Sequence, residues 1–139
     1  MRAIRIEDVN EHRLSFDLVD LLRELGERLS NTEWEVDNVE TSGESAEDLE
    51  ELETLETLKG RVTGDRLKQI ATGLYQVIWG TFSGFDPGQT KPWIIISAFD
   101  SSWFDVTTDD DSLIEQLKRR FTSVSDIPIE QSVRTDSEY

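Results

Sequence analysis

The sequence contains no cysteine, only one histidine, and 14 basic residues against 30 acidic ones. Without cysteine the chain has no disulfide bond, no thiolate nucleophile and no thiolate metal site, which suits a reducing compartment. A Ser-His-Asp arrangement would have to use His12, which lies in a polar segment outside any nucleophile-elbow pattern. We therefore expect no catalytic residue, no metal site and no cofactor, and we interpret the chain as a protein that is not an enzyme.

Long apolar runs are also missing. No stretch approaches the ~20 apolar residues of a membrane-spanning helix. The first residues, MRAIRIEDVNEHR, lack the apolar core of a signal peptide. These two absences predict a cytoplasmic protein that does not contact the membrane.

Carboxylate groups are abundant, but their spacing does not indicate a catalytic or metal site. Asp109, Asp110 and Asp111 could bind a hard cation together with Asp105, but they do not have the spacing of an EF-hand loop. Helix capping explains them better. Asp100 and Asp105 could form a catalytic pair, but we expect them near a turn and on an outer face.

The net charge of −16 is the most unusual property of the sequence. Such a charge opposes binding to nucleic acids and anionic membranes, and it favours basic partners. The simpler interpretation is that the charge only maintains solubility.

Hydrophobic periodicity predicts an α+β fold. Leucines at helical spacing predict a helix over 14–29, and shorter periodic segments predict helices at 64–73 and 110–121. β-Branched and aromatic residues predict a meander of strands at 74–82, 93–99 and 103–108, and 2–7 and 33–40 alternate as strands do. We expect a mainly antiparallel sheet of three to five strands, with 2–7 as an edge strand and helices on one face.

The predicted domain spans 1–121, with an acidic insertion at 41–60 that could be mobile and a polar C-terminal tail at 122–139. In the last hairpin, a two-residue loop at Ser101 and Ser102 would place Phe99 opposite Phe104. Trp103 would then share the other side of the sheet with Ile94 and Ile96.

The segment ESAEDLEELETLETLK, residues 44–59, holds seven carboxylates in the thirteen residues from 44 to 56. Like charges three and four residues apart oppose a helix, and no basic residue within 44–56 offsets them. The segment could be a helix only if buried leucines or an outside cation stabilise it. Its acidic residues are candidates for contact with a basic partner: Glu44, Glu47, Asp48, Glu50, Glu51, Glu53 and Glu56.

Four tryptophans complete the set of candidate residues. Tryptophan occurs both in cores and at binding hot spots, and the core is the default expectation for each of them. Trp103, beside a turn, is the best candidate for an exposed anchor, and Trp93, after Pro92, is the second.

These features predict a small acidic protein-binding module. Its most concrete form is an immunity- or inhibitor-type protein, or a nucleic-acid mimic, that binds a basic partner such as a nuclease or another nucleic-acid-binding protein. The alternatives are a small-molecule-binding or enzymatic domain that uses the aromatic sheet face around Trp79, Trp93 and Trp103, and a structural subunit of a complex. A deep pocket would favour the first alternative, whereas a flat acidic face would favour the binding module.

Overall fold

The computed structural model describes residues 1–10, 13–43, 46–58 and 60–131. The elements, in chain order, are β1 (Arg2–Ile6), β2 (Val9–Asn10), β3 (Arg13–Leu14), α1 (Leu18–Glu24), α2 (Glu27–Ser30), β4 (Glu33–Gly43), α3 (Ala46–Leu58), β5 (Val62–Thr63), α4 (Gly64–Thr72), β6 (Leu74–Phe85), β7 (Ile94–Phe99), β8 (Trp103–Thr108), α5 (Asp111–Arg120) and β9 (Val124–Ile127).

The main sheet has seven strands in the order β5-β4-β6-β7-β8-β1-β9, and every neighbouring pair is antiparallel. The α+β class and the antiparallel meander are confirmed. The expected count of three to five strands is too low because β5 and β9 extend the sheet at its two edges. The strand predicted at the edge, β1, is therefore an inner strand that pairs with both β8 and β9.

One face of the sheet, which we call the first face, is apolar and forms part of the core. Side chains paired across β1, β8, β7, β6 and β4 lie on this face, and they are almost fully buried: Ile4, Ile6, Trp34, Phe82, Ile94, Ile96, Phe104 and Val106. They form one core with the buried leucines of α1 and α2 and the apolar residues of α4 and α5. The helices thus cover one face, as the periodicity predicts.

The helix predicted over 14–29 is two shorter helices. Gly26 interrupts it with a φ of 57°, a left-handed conformation that glycine adopts without strain. Asp17 caps the start of α1, where its side chain accepts hydrogen bonds from the backbone N–H groups of Leu18 and Val77. Burial is the main cause that raises the pKa of Asp17 to about 6.

The predicted helices at 64–73 and 110–121 are confirmed as α4 and α5. The Thr63 side chain caps α4 by accepting from the N–H of Arg66, and Asp110 caps α5 by accepting from the N–H of Leu113. The Ser112 hydroxyl donates a hydrogen bond to the Asp110 carboxylate, and this bond is the largest contribution that lowers the pKa of Asp110. Helix capping, as expected for this run of aspartates, is the role of Asp110.

The last hairpin differs from its prediction by one residue. The loop contains Asp100, Ser101 and Ser102, with positive φ at the first two, so Phe99 pairs with Trp103 and Ala98 with Phe104. A one-residue slip moves every side chain of a strand to the other face. Phe99 and Trp103 therefore share the second face of the sheet, away from the helix-covered core.

The segment after α5 adds a strand to the same sheet. Val124–Ile127, placed by the sequence in the polar tail, form β9. The division of the chain at residue 121 stays a prediction. Across the described ranges, no helix is both long enough and apolar enough to cross a bilayer.

Candidate partner-binding surface

The acidic segment is helical over Ala46–Leu58, and contacts with the rest of the protein hold it there. Leu52 is buried in the core. The guanidinium of Arg66, on α4, donates to the Glu51 carboxylate over 2.6 to 3.1 Å. The Glu56 carboxylate accepts from the backbone N–H of Val39 at 2.8 Å. Burial and a cation from α4 thus offset the like-charge repulsion within α3.

The seven acidic candidates have different positions. Glu50 and Glu53 are exposed, whereas Glu51 and Glu56 are half-buried and bonded as described. Glu47 and Asp48 belong to the first turn of α3, and Glu44 lies outside the described residues. Among the candidates whose side chains are described, Glu50 and Glu53 are therefore the pair most available to a partner.

The tryptophans do not follow the expected order of exposure. Trp93 is only 6% exposed, its indole N–H donates to Thr32, and the Arg28 guanidinium lies 3.6 Å from its ring centroid. Trp93, the second candidate for an exposed anchor, is therefore a core residue, which is the default expectation for each tryptophan. Trp103 is half-buried between Phe99 and Arg5.

Trp79 is the exposed tryptophan, at 38% of its surface. It lies on β6, on the second face of the sheet, and its ring meets that of Phe99 edge-on with centroids 6.1 Å apart. The sequence alternative named Trp79 only as part of the aromatic sheet face. Trp79 pairs with Glu40 beside an irregularity in the pairing of β4 with β6, and no local sequence signal reports that irregularity.

A groove lies beside Trp79. Its volume is about 330 Å³, and Asn38, Glu40, Trp79, Gly80, Thr81, Ala98 and Phe99 line it. Asn38 has a φ of 52°, and the register of β4 shifts between Asp37 and Glu40. This bulge places Glu40 directly opposite Trp79, so that an exposed carboxylate borders the aromatic wall.

Glu40 also connects this groove to the acidic helix. A second, smaller hollow of about 220 Å³ is lined by Val39, Glu40, Thr41, Leu52, Glu53 and Glu56. The aromatic groove and the exposed side of α3 are therefore neighbours along β4. We call the combined region, from Trp79 and Phe99 through Glu40 to Glu50 and Glu53, the acidic–aromatic surface.

Asp105 differs from its expected position on an outer face. Its carboxylate is fully buried on the second face and accepts two hydrogen bonds from Arg5, at 2.9 and 3.1 Å. Burial raises the pKa of Asp105 more than the interaction with Arg5 lowers it. The hydrogen bond with Asp105 is the largest contribution that raises the pKa of Arg5. The pair is a structural ion pair inside the sheet.

The described part of the chain brings together no group of three or more acidic or histidine side chains in a metal-binding arrangement. His12 lies outside the described residues. We compared the chain with protein-family models, with curated proteins and with solved structures, and none of them matches it.

Proposed function

We propose that this protein is a small acidic binding module for a basic protein, and that it is not itself an enzyme. One observation carries the proposal: the exposed carboxylates of α3 and the groove beside the exposed Trp79 are joined through Glu40 into one surface. Protein interfaces commonly combine buried aromatic anchors with a polar rim, which is the arrangement at Trp79 and Phe99.

The charge of the whole chain supports this proposal. A net charge of −16 creates a negative potential that attracts basic partners and raises their association rate. Glu50 and Glu53 would then contact basic side chains at the rim. The most concrete form is an immunity- or inhibitor-type protein, or a nucleic-acid mimic, that covers the basic cleft of a nuclease or another nucleic-acid-binding protein in the cytoplasm.

The groove volume favours one alternative, a small-molecule site. About 330 Å³ lies near the lower end of the range for ligand pockets. A ligand in this groove would stack on Trp79 without needing the carboxylates of α3. The two functions therefore differ in their dependence on Glu50 and Glu53.

Capture of basic proteins from a lysate of the native host, at low and at high salt, tests the proposal. The test variant carries Glu50→Gln and Glu53→Gln. The control variant carries Glu27→Gln and Glu130→Gln, two exposed carboxylates away from this surface. The wild type and the control should retain the same basic protein at low salt, and the test variant should lose it.

The association rate of the purified partner then gives a quantitative measure. It should fall by about tenfold or more between low and high salt, since the attraction is electrostatic. If both variants retain the partner as well as the wild type does, α3 is only a solvated face and the proposed function is wrong.

A further inference from the structure

Arginines lie against aromatic rings at four places in the described structure. In each case the guanidinium also forms an ion pair with at least one carboxylate. The four arrangements are Arg5 over Trp103 with Asp105, Arg28 over Trp93 with Asp86 and Asp110, Arg61 over Phe85 with Glu33 and Glu35, and Arg120 over Phe121 with Glu24.

The separation between guanidinium and ring centroid is 3.6 to 5.0 Å in these four arrangements. At Arg61 the hydrogen bond with Glu35 is the largest contribution that raises the pKa of the arginine. The ring supplies a negative face and an apolar contact, and the carboxylate neutralises the charge. The chain therefore repeatedly combines a ring, a guanidinium and a carboxylate.

The groove at Trp79 has the ring and the carboxylate of this arrangement but not the arginine. Phe99 forms an aromatic wall beside Trp79, and Glu40 lies opposite Trp79 in the strand register. Within the ranges that the structure describes, no arginine lies over Trp79, and Glu40 forms no ion pair. Both side chains are exposed.

We propose that the groove formed by Trp79, Phe99 and Glu40 binds an arginine side chain of the partner protein. The guanidinium stacks on the indole of Trp79 and donates to the Glu40 carboxylate. This inference rests on the proposed function, and it identifies the side chain that the partner inserts. The remaining contacts of the partner extend over α3, where Glu50 and Glu53 are exposed.

The chemistry of the site favours arginine over other side chains. A guanidinium is planar and less strongly hydrated than an ammonium, so it stacks on an indole at a smaller desolvation cost than lysine. An apolar side chain would leave the Glu40 carboxylate without a cation, and Glu40 would repel an acidic side chain. The charge of the chain also selects for a cationic group at this position.

Titration of the full-length protein with a short capped peptide, Gly-Arg-Gly, tests the inference by NMR. The indole N–H resonance of Trp79 should shift saturably, as should the ring resonances of Phe99. The same peptide with citrulline, the neutral analogue of arginine, should produce no saturable shift. The lysine peptide should bind about threefold more weakly than the arginine peptide.

Two variants identify the groups responsible. Trp79→Ala should abolish the saturable shift at Phe99, and Glu40→Gln should weaken binding about threefold. Glu130→Gln is the matched control and should bind as the wild type does. Because Trp79 and Glu40 are exposed, both variants should keep the folded structure.

Three results would overturn the inference. These are equal binding of the arginine and citrulline peptides, equal binding of the lysine peptide, or no saturable shift at all. A fourth concerns Arg134, which lies outside the described residues. If Arg134→Gln shifts the Trp79 resonance of the free protein, the occupant is this chain's own arginine, and the assignment to a partner fails.

The outcome is distinguishable from that of the proposed function. If the arginine peptide does not bind in the groove, and the double variant Glu50→Gln, Glu53→Gln still fails to capture the basic protein, only the inference fails. If the peptide binds and no basic protein depends on Glu50 and Glu53, the proposed function fails.

Discussion

At the residue scale, the Arg5–Asp105 pair provides a sharp test of the energetics of the second face. Removing Arg5 leaves a fully buried carboxylate without its cation. We expect Arg5→Gln to lower the free energy of unfolding by about 3 kcal/mol. Urea denaturation at neutral pH measures this change.

A double variant separates the ion pair from the packing around it. Arg5→Met combined with Asp105→Leu replaces both charges by apolar groups and should recover most of the loss. Arg119→Gln, at an exposed arginine of α5 that forms no ion pair within the described residues, is the control and should change stability by less than about 0.5 kcal/mol. Equal losses in the single and the double variant would contradict this explanation.

Asp17 predicts a specific dependence of stability on pH. Its pKa rises from 3.8 to about 6 on folding, mainly because of burial. The folded chain thus binds this proton more tightly than the unfolded chain does. The contribution of Asp17 to stability is largest below about pH 4, falls as the pH rises through about 6, and is then smaller by up to about 3 kcal/mol.

The variant Asp17→Asn does not titrate and can still cap α1. The stability of the wild type relative to this variant should therefore decrease between about pH 4 and pH 7. Urea denaturation at several pH values measures the difference. Asp65→Asn, at an exposed aspartate in the first turn of α4, shows the effect of removing a carboxylate elsewhere. Parallel pH profiles of the wild type and Asp17→Asn would exclude a raised pKa at Asp17.

At the scale of the element, α3 depends on its contacts more than on its own sequence. Leu52 is buried, whereas Thr54 and Thr57 face solvent. Leu52→Ala should destabilise α3 by about 2 to 4 kcal/mol because it removes the main apolar contact of the helix. Amide hydrogen exchange should then accelerate in 46–58 more than in α4.

Thr54→Ala is the matched control for this prediction. It changes an exposed residue of the same helix and introduces a better helix former. Exchange in α3 should be unchanged or slower in this variant. A uniform acceleration over α3 and α4 in Leu52→Ala would mean that the two helices open together, and the interpretation of α3 as a separately docked element would be wrong.

The elements differ in how well the sequence predicts them. α4 and α5 agree with their predictions to within two residues because a helical apolar face and a capping side chain coincide at each. The 14–29 pattern conceals the break at Gly26 because the leucine spacing continues across it. The strand β9 is missed because Val124–Ile127 has only two apolar residues, and its pairing with β1 is non-local.

The candidate surface was only partly predictable. The acidic residues of α3 are evident from composition, but their separation into exposed and bonded groups depends on Arg66 and Val39, which are distant in sequence. The position of Glu40 opposite Trp79 depends on the bulge before Glu40. The side of Trp103 depends on a three-residue loop that the sequence suggests is two residues long.

At the scale of the whole molecule, the net charge of −16 predicts that salt stabilises the protein. Repulsion among the excess carboxylates destabilises the compact state, and ions screen it. Salt also weakens the ion pairs, but exposed pairs contribute little each, and the buried Arg5–Asp105 pair is screened less. The melting temperature should therefore rise between about 0.05 and 1 M potassium chloride, as the Debye length falls to about 3 Å.

A variant with lower charge supplies the control. Glutamine at Glu27, Glu50, Glu53 and Glu130, all exposed, removes four negative charges without removing a described contact. Its melting temperature at low salt should exceed that of the wild type, and its increase with salt should be smaller, since there is less repulsion to screen. A melting temperature that falls with salt in the wild type would mean that the ion pairs dominate. The repulsion among the excess carboxylates would then be smaller than the attraction within the ion pairs.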